Sequence, residues 1–288
     1  MWISDPDTTA HDRGLGAAPT RDALTLVDAE IGRIEDTLRA KGLIDRTNVT
    51  VTSDHGFSTH AGTFRLQALV NPFARQMADG SRDIVVAEGA VYVRSSDSDK
   101  PARVAAIVDA LQRRPEVGAI FTRPAVRGGA EGIVAGTLSF DVARWNHARR
   151  AADILVSANW TRDANAAGIE GQTIESGVAG HGSSSPYDVH NTLIAAGPGF
   201  REHAASDVPT GTVDLAPTLL HLLGVQIPPT MAGRVIEEGL ANGPAISSVR
   251  VGHATETVKT SDGAYELIAH ISSAVGHRYL DFTEVKRR

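Results

Sequence analysis

Apolar side chains at Leu24, Val27, Ile31, Ile34 and Leu38 are spaced alternately three and four residues apart, which draws one stripe along a helix. Thr20 is a candidate N-cap for that helix, Asp22 suits its positive start, and Gly42 is placed to end it. Residues 48–56, NVTVTSDHG, then change period. Their β-branched run predicts a short, largely buried strand that stops at Ser53 and Asp54. With a candidate first strand at residues 2–4, this strand–helix–strand order points to an α/β sheet with parallel neighbours.

The middle of the chain carries weaker signals. Residues 83–88 and 90–94 read as a hairpin or adjacent strands around Gly89, and residues 118–122 as another strand. Residues 101–113 place Val104, Ile107, Val108 and Leu111 on one side of a helix. The glycine-rich stretch at 128–136 lacks the lysine of a phosphate-cradling loop and reads as a turn between strands. Further on, residues 191–196 predict a strand, and 213–223 a helix ended by Gly224. Two extended segments within 249–282 flank a turn at 260–263, so the chain should finish in an antiparallel ribbon.

Composition narrows the function. The 288 residues hold 34 acidic and 28 basic side chains, a formal charge of −6, which argues against a general binder of polymeric nucleic acid or of anionic membranes. No apolar run is long enough to span a bilayer, and the first residues show neither the basic nor the apolar part of a secretion leader. Cysteine is absent, so disulfides, thiolate metal sites and a thiol nucleophile are excluded.

Three short segments concentrate chemistry. Asp5-Pro6-Asp7-Thr8-Thr9-Ala10-His11 sets Asp7 four residues before His11; Ser53-Asp54-His55-Gly56 follows a predicted strand, where open α/β sheets place ligands; Gly180-His181-Gly182 stands a histidine on a glycine loop. Taken singly, these are a helix cap, a chance tripeptide and a structural histidine. Taken together, two aspartates and three histidines are the oxygen and nitrogen donors that zinc or a similar ion requires. Asp188 and His190 could support a ligand or simply make structural bonds, His60 reads as a solvent-facing loop residue, His221 as packing or surface, and Trp145 and Trp160 as core.

With these segments in view, the chain resembles the alkaline-phosphatase superfamily, and within it the type I phosphodiesterase/nucleotide pyrophosphatase branch. The first segment is similar to that branch's Glu-Pro-Asp-x-x-Gly-His, with Asp5 and Ala10 as departures. Residues 53–56 match its Ser-Asp-His-Gly, and 180–182 resemble its Gly-x-His-Gly loop with the first position shifted. Residues 186–200 and 213–224 are similar to the segments that follow, leaving about 62–175 without a recognisable motif.

The resemblance implies one α/β domain over residues 1–288. Its mostly parallel sheet would be flanked by helices, incomplete on the N-terminal side, with an irregular insertion at about 62–175 and a C-terminal antiparallel ribbon. It implies two divalent ions, zinc foremost, with Asp7, His11 and His181 on one and Asp54 and His55 on the other. The expected activity is hydrolysis of phosphodiester or nucleotide pyrophosphate bonds in small-molecule phosphate esters or nucleotides. In this family the second ion also takes a further aspartate and the threonine or serine nucleophile, both N-terminal to the Asp-Pro-Asp motif. Only six residues precede Asp7, so no nucleophile is expected here, and impaired activity follows. Two alternatives stand beside this reading: a phosphomonoesterase, sulfatase or phosphonate hydrolase of the same superfamily, and a non-catalytic metal-binding pseudoenzyme. Relatives of the family are often exported, but compartment and oligomeric state stay open.

Overall fold

The computed structural model describes residues 1–95 and 98–288. Its α-helices are α1 (Asp7–Arg13), α2 (Ala18–Ala40), α3 (Leu66–Val70), α4 (Lys100–Gln112), α5 (Pro186–Val189) and α6 (Leu215–Leu222). Its strands are β1 (Val49–Thr52), β2 (Ser58–Phe64), β3 (Ile84–Ala87), β4 (Ala90–Val93), β5 (Val117–Thr122), β6 (Leu138–Ser139) and β7 (Ile154–Ala158). They continue as β8 (Trp160–Ala164), β9 (Glu170–Glu175), β10 (Ala179–Gly180), β11 (Leu193–Ala196), β12 (Val251–Lys259), β13 (Tyr265–Ala274) and β14 (His277–Arg287).

Four sheets result. Their strand orders are β1-β11, β10-β2-β9-β8, β3-β4-β7-β5-β6 and β12-β13-β14. The α/β class, with sheets flanked by helices, and the C-terminal antiparallel ribbon are both present. Among the described residues, parallel pairing is confined to β2 with β9 and β5 with β6, and the other ladders are antiparallel. The reason lies beside β1. Residues 1–4 form no strand and Trp2 is 78% exposed, so among the described residues β1 pairs only with β11, which returns against it after the α5 turn. For the same reason β1 is half-exposed rather than largely buried.

Two apolar cores hold the molecule together. In the first, α4 lays Val104, Ile107, Val108 and Leu111 across the five-stranded sheet, against Val91, Val93, Ile120 and Ile154. Each such fully buried side chain contributes about 1.5–3 kcal/mol. The expected hairpin is β3–β4, turned at Glu88 and Gly89, both at positive φ. In the second core, β13 alternates Tyr265, Leu267, Ala269 and Ile271 toward Phe121, Leu138 and Phe140, and the Tyr265 hydroxyl donates to the Gly118 carbonyl at 2.8 Å. The ribbon has three strands rather than two, because Val275 and Gly276, both at positive φ, turn the chain again.

Helix α2 follows the predicted stripe, with one difference at its start. Ala17 is the N-cap and Pro19 lies in the first turn, while the Thr20 hydroxyl donates to the Gly14 carbonyl at 2.8 Å. Gly42, at φ +64°, follows its end as expected. The stripe itself is poorly covered: Leu24 is 52% exposed and Ile34 39%. Neither core draws on α1, α2, β1, β11 or α6.

Candidate metal centre in a phosphodiesterase family

Helix α1 presents the first two donors. Asp7 opens it, where a carboxylate suits the positive helix end, and the i,i+4 spacing sets the His11 Nε2 atom 3.6 Å from Asp7 Oδ1. Asp5, a departure from the family pattern, anchors this turn: the Thr9 amide and hydroxyl donate to its Oδ1 at 3.2 and 2.6 Å. Asp54 and His55 follow β1, and His181 follows β10.

All five expected donors lie in one region. Asp7 Oδ1 is 3.8 Å from His181 Nε2 and 3.9 Å from His55 Nε2, and His55 Nε2 is 3.4 Å from Asp54 Oδ1. Asp7, His11 and His181 hold one ligand atom each within 4.8 Å of the others. The Asp7 Oδ1 atom is shut off from solvent and accepts no hydrogen bond, an expensive state for a carboxylate oxygen. Three imidazole nitrogens without an intervening proton donor surround it. This donor set fits a divalent ion.

Tautomers are fixed from outside. His11 Nδ1–H donates to the Ala179 carbonyl and His55 Nδ1–H to the Gly56 carbonyl, both at 2.9 Å, so each leaves a bare Nε2 facing the centre. The pKa of His181 is lowered, first by burial and then by the neighbouring His55 and His11 rings, which keeps its lone pair free near neutrality. Phe57 sits edge-on to His11 and His181, with centroids 4.9 and 5.5 Å away, and forms an apolar floor.

The rings of His55 and His181 stack at 3.4 Å and 15°. Each Nε2 lone pair lies in its own ring plane and the two planes are nearly parallel, so these two nitrogens are suited to neighbouring positions rather than to one shared point. Asp54 and His55 offer two protein donors, fewer than the three or four a tightly held zinc uses.

Other residues fall differently from expectation. His60 lies on β2 with its side chain 12% exposed, not in a solvent-facing loop. Burial pulls its pKa down, but Glu175 at 3.3 Å and the Ser176 carbonyl outweigh that, and the net shift is upward. A Cβ on Gly180 would come within 2.6 Å of the His60 ring, so His60 backs the loop that carries His181. Asp188 makes structural bonds: it is 3% exposed and its Oδ2 accepts the Ser183 amide at 2.9 Å. His190 and His221 are exposed. Trp145 packs on Phe140, and Trp160 donates to the Thr283 carbonyl and meets Tyr187 and Phe282 edge-on.

Residues 1–172 match the family model for type I phosphodiesterase / nucleotide pyrophosphatase. The chain belongs to that family. Among relatives of the phosphodiesterase family, ectonucleotide pyrophosphatase/phosphodiesterase family member 7 from Rattus norvegicus and from Homo sapiens are each 32% identical over 59 residues, covering 20% of this chain and 13% of theirs. Among solved structures, murine ectonucleotide pyrophosphatase/phosphodiesterase 5 matches with a TM-score of 0.57 and 19% identity over 82% of this chain and 57% of its own. An inactive variant of that murine protein, in complex with AMP, matches with a TM-score of 0.55 and 20% identity, over 78% and 53% of the two chains. The chain therefore spans little more than half the length of these solved relatives, and the likeness to them is one of fold.

Proposed function

We propose that this phosphodiesterase-family chain is a metal-dependent hydrolase of phosphodiester or nucleotide pyrophosphate bonds, using two divalent ions, zinc foremost. One observation supports the reading above the rest: the solvent-shielded, unbonded Oδ1 of Asp7 faces the Nε2 atoms of His11, His181 and His55 at 3.6, 3.8 and 3.9 Å. The AMP held by a structural relative supports a nucleotide-type substrate. When bound, such ions withdraw charge from a phosphoryl oxygen and make a bound hydroxyl or water a better nucleophile.

The chain's own residues prepare that chemistry. Asp7, His11 and His181 would supply an ion with one carboxylate and two imidazoles, the three protein donors typical of a catalytic zinc. Backbone carbonyls hold His11 and His55 with bare Nε2 atoms, and Phe57 limits water beneath them. Asp54 and His55 form only half a donor set, so the second ion should bind more weakly and turnover by these residues alone should be slow.

The test pairs metal analysis with substrate comparison. Zinc-loaded protein should retain metal through gel filtration and lose it in Asp7→Asn and His181→Ala. Any hydrolysis should favour bis-p-nitrophenyl phosphate over the monophosphate and the sulfate. Protein that keeps no zinc after loading would sink the metal reading, and a preference for the monoester or sulfate would move the activity to another branch of the superfamily.

A further inference from the structure

We propose that Asp188 is a positioning residue that holds the two histidine-bearing loops at a fixed separation. This inference rests on the metal reading above. Asp188 lies on α5, 133 residues from His55 in sequence, yet it grips both loops. Its carbonyl accepts the Gly56 amide at 2.7 Å, directly after His55, and beside it the Tyr187 carbonyl accepts the Phe57 amide at 2.8 Å. Its carboxylate Oδ2 accepts the Ser183 amide at 2.9 Å, two residues after His181.

The carboxylate does not serve its own helix. The α5 cap is Ser185, whose Oγ accepts the Asp188 amide at 3.2 Å. The Asp188 side chain instead reaches back across the loop to the Ser183 amide. Its Oδ1 is buried without a hydrogen bond, so the group is kept at a cost that local structure does not explain. The clamp accounts for the stacked geometry: two rings stay 3.4 Å apart because one residue fixes the backbones that follow them.

Cobalt(II) binding to the whole chain tests this, read by chelator competition and by the visible d–d bands. Asp188→Ala should weaken cobalt about 10- to 100-fold, the usual loss when an outer partner of a metal ligand is removed, and should alter the bands. Asp188→Asn keeps an oxygen for the Ser183 amide and should restore most of the affinity and the wild-type spectrum. If Asp188→Ala does not fold, Asp188→Glu keeps the charge but displaces the oxygen that takes the Ser183 amide, and should shift affinity and spectrum in the same direction. A folded Asp188→Ala or Asp188→Glu with wild-type affinity and bands overturns the proposal, as does an Asp188→Asn no better than Asp188→Ala. Wild-type protein that binds no cobalt overturns the metal reading with it, so the two failures are distinct.

Discussion

Gly56→Ala tests whether the loop bearing Asp54 and His55 depends on close backbone approach. A Cβ at position 56 would stand 2.0 Å from the Tyr187 carbonyl oxygen and 2.3 Å from that of His190, where ordinary contact begins near 3.4 Å. Both neighbours are backbone, so neither can swing aside. The segments must part, and the hydrogen bonds from Gly56 and Phe57 to Asp188 and Tyr187 lengthen or break. Each is worth about 1 kcal/mol net, and up to about 3 kcal/mol when a donor is left dry, giving a loss of about 2–6 kcal/mol. Against a usual total of about 5–15 kcal/mol this is large. Urea unfolding of metal-free protein, followed by tryptophan fluorescence, reads the loss. Zinc titration should show the Asp54–His55 position failing first, because the Gly56 carbonyl also orients the His55 ring. A variant within about 0.5 kcal/mol of wild type, the range of a neutral surface change, with unchanged zinc stoichiometry would refute the reasoning.

Two further outcomes follow from the structure. Asp83 is 5% exposed and meets Arg103 at 2.7 Å, which, outweighing burial, lowers its pKa. The stability it supplies is therefore present above the unfolded carboxylate pKa and is lost as pH falls through the lower folded value; Asp83→Asn should flatten that acid limb in pH-dependent thermal melts and cost about 3–5 kcal/mol at neutral pH, the range for breaking a buried pair. Ile194 on β11 is 60% exposed beside a pairing edge, so Ile194→Lys should leave the melting temperature within a few degrees of wild type while lowering aggregation measured by light scattering.

Much of this was legible in sequence where the signal is local. The stripe of α2, the core side of α4 and the hairpin at Gly89 each depend on spacings of four residues or fewer, and each is present. The five candidate donors were legible as motifs, and the fold brings them together from three distant segments. Residues whose role depends on a distant contact were not legible. His60 looked solvent-facing because nothing nearby announces Glu175, and Asp188 looked ambiguous because its partners are Ser183 and the distant Gly56. Its neighbourhood did hold one clue: Ser185 three residues before Asp188 is the spacing of a helix-start cap, and that cap forms. The third ribbon strand was hidden because Val275 takes positive φ, a conformation its side chain does not advertise.

The two apolar cores lie away from the elements that carry the candidate donors. Loops without their own core exchange backbone amides through small openings rather than through global unfolding. An ion shared by Asp7, His11 and His181 would join α1 to the loop after β10, with a free energy set by its concentration over its dissociation constant. In deuterium labelling, chelator should then act as a dial on one part of the molecule: amides around residues 7–13, 53–57 and 179–185 would exchange faster, while those of α4 and β13 would keep their rates.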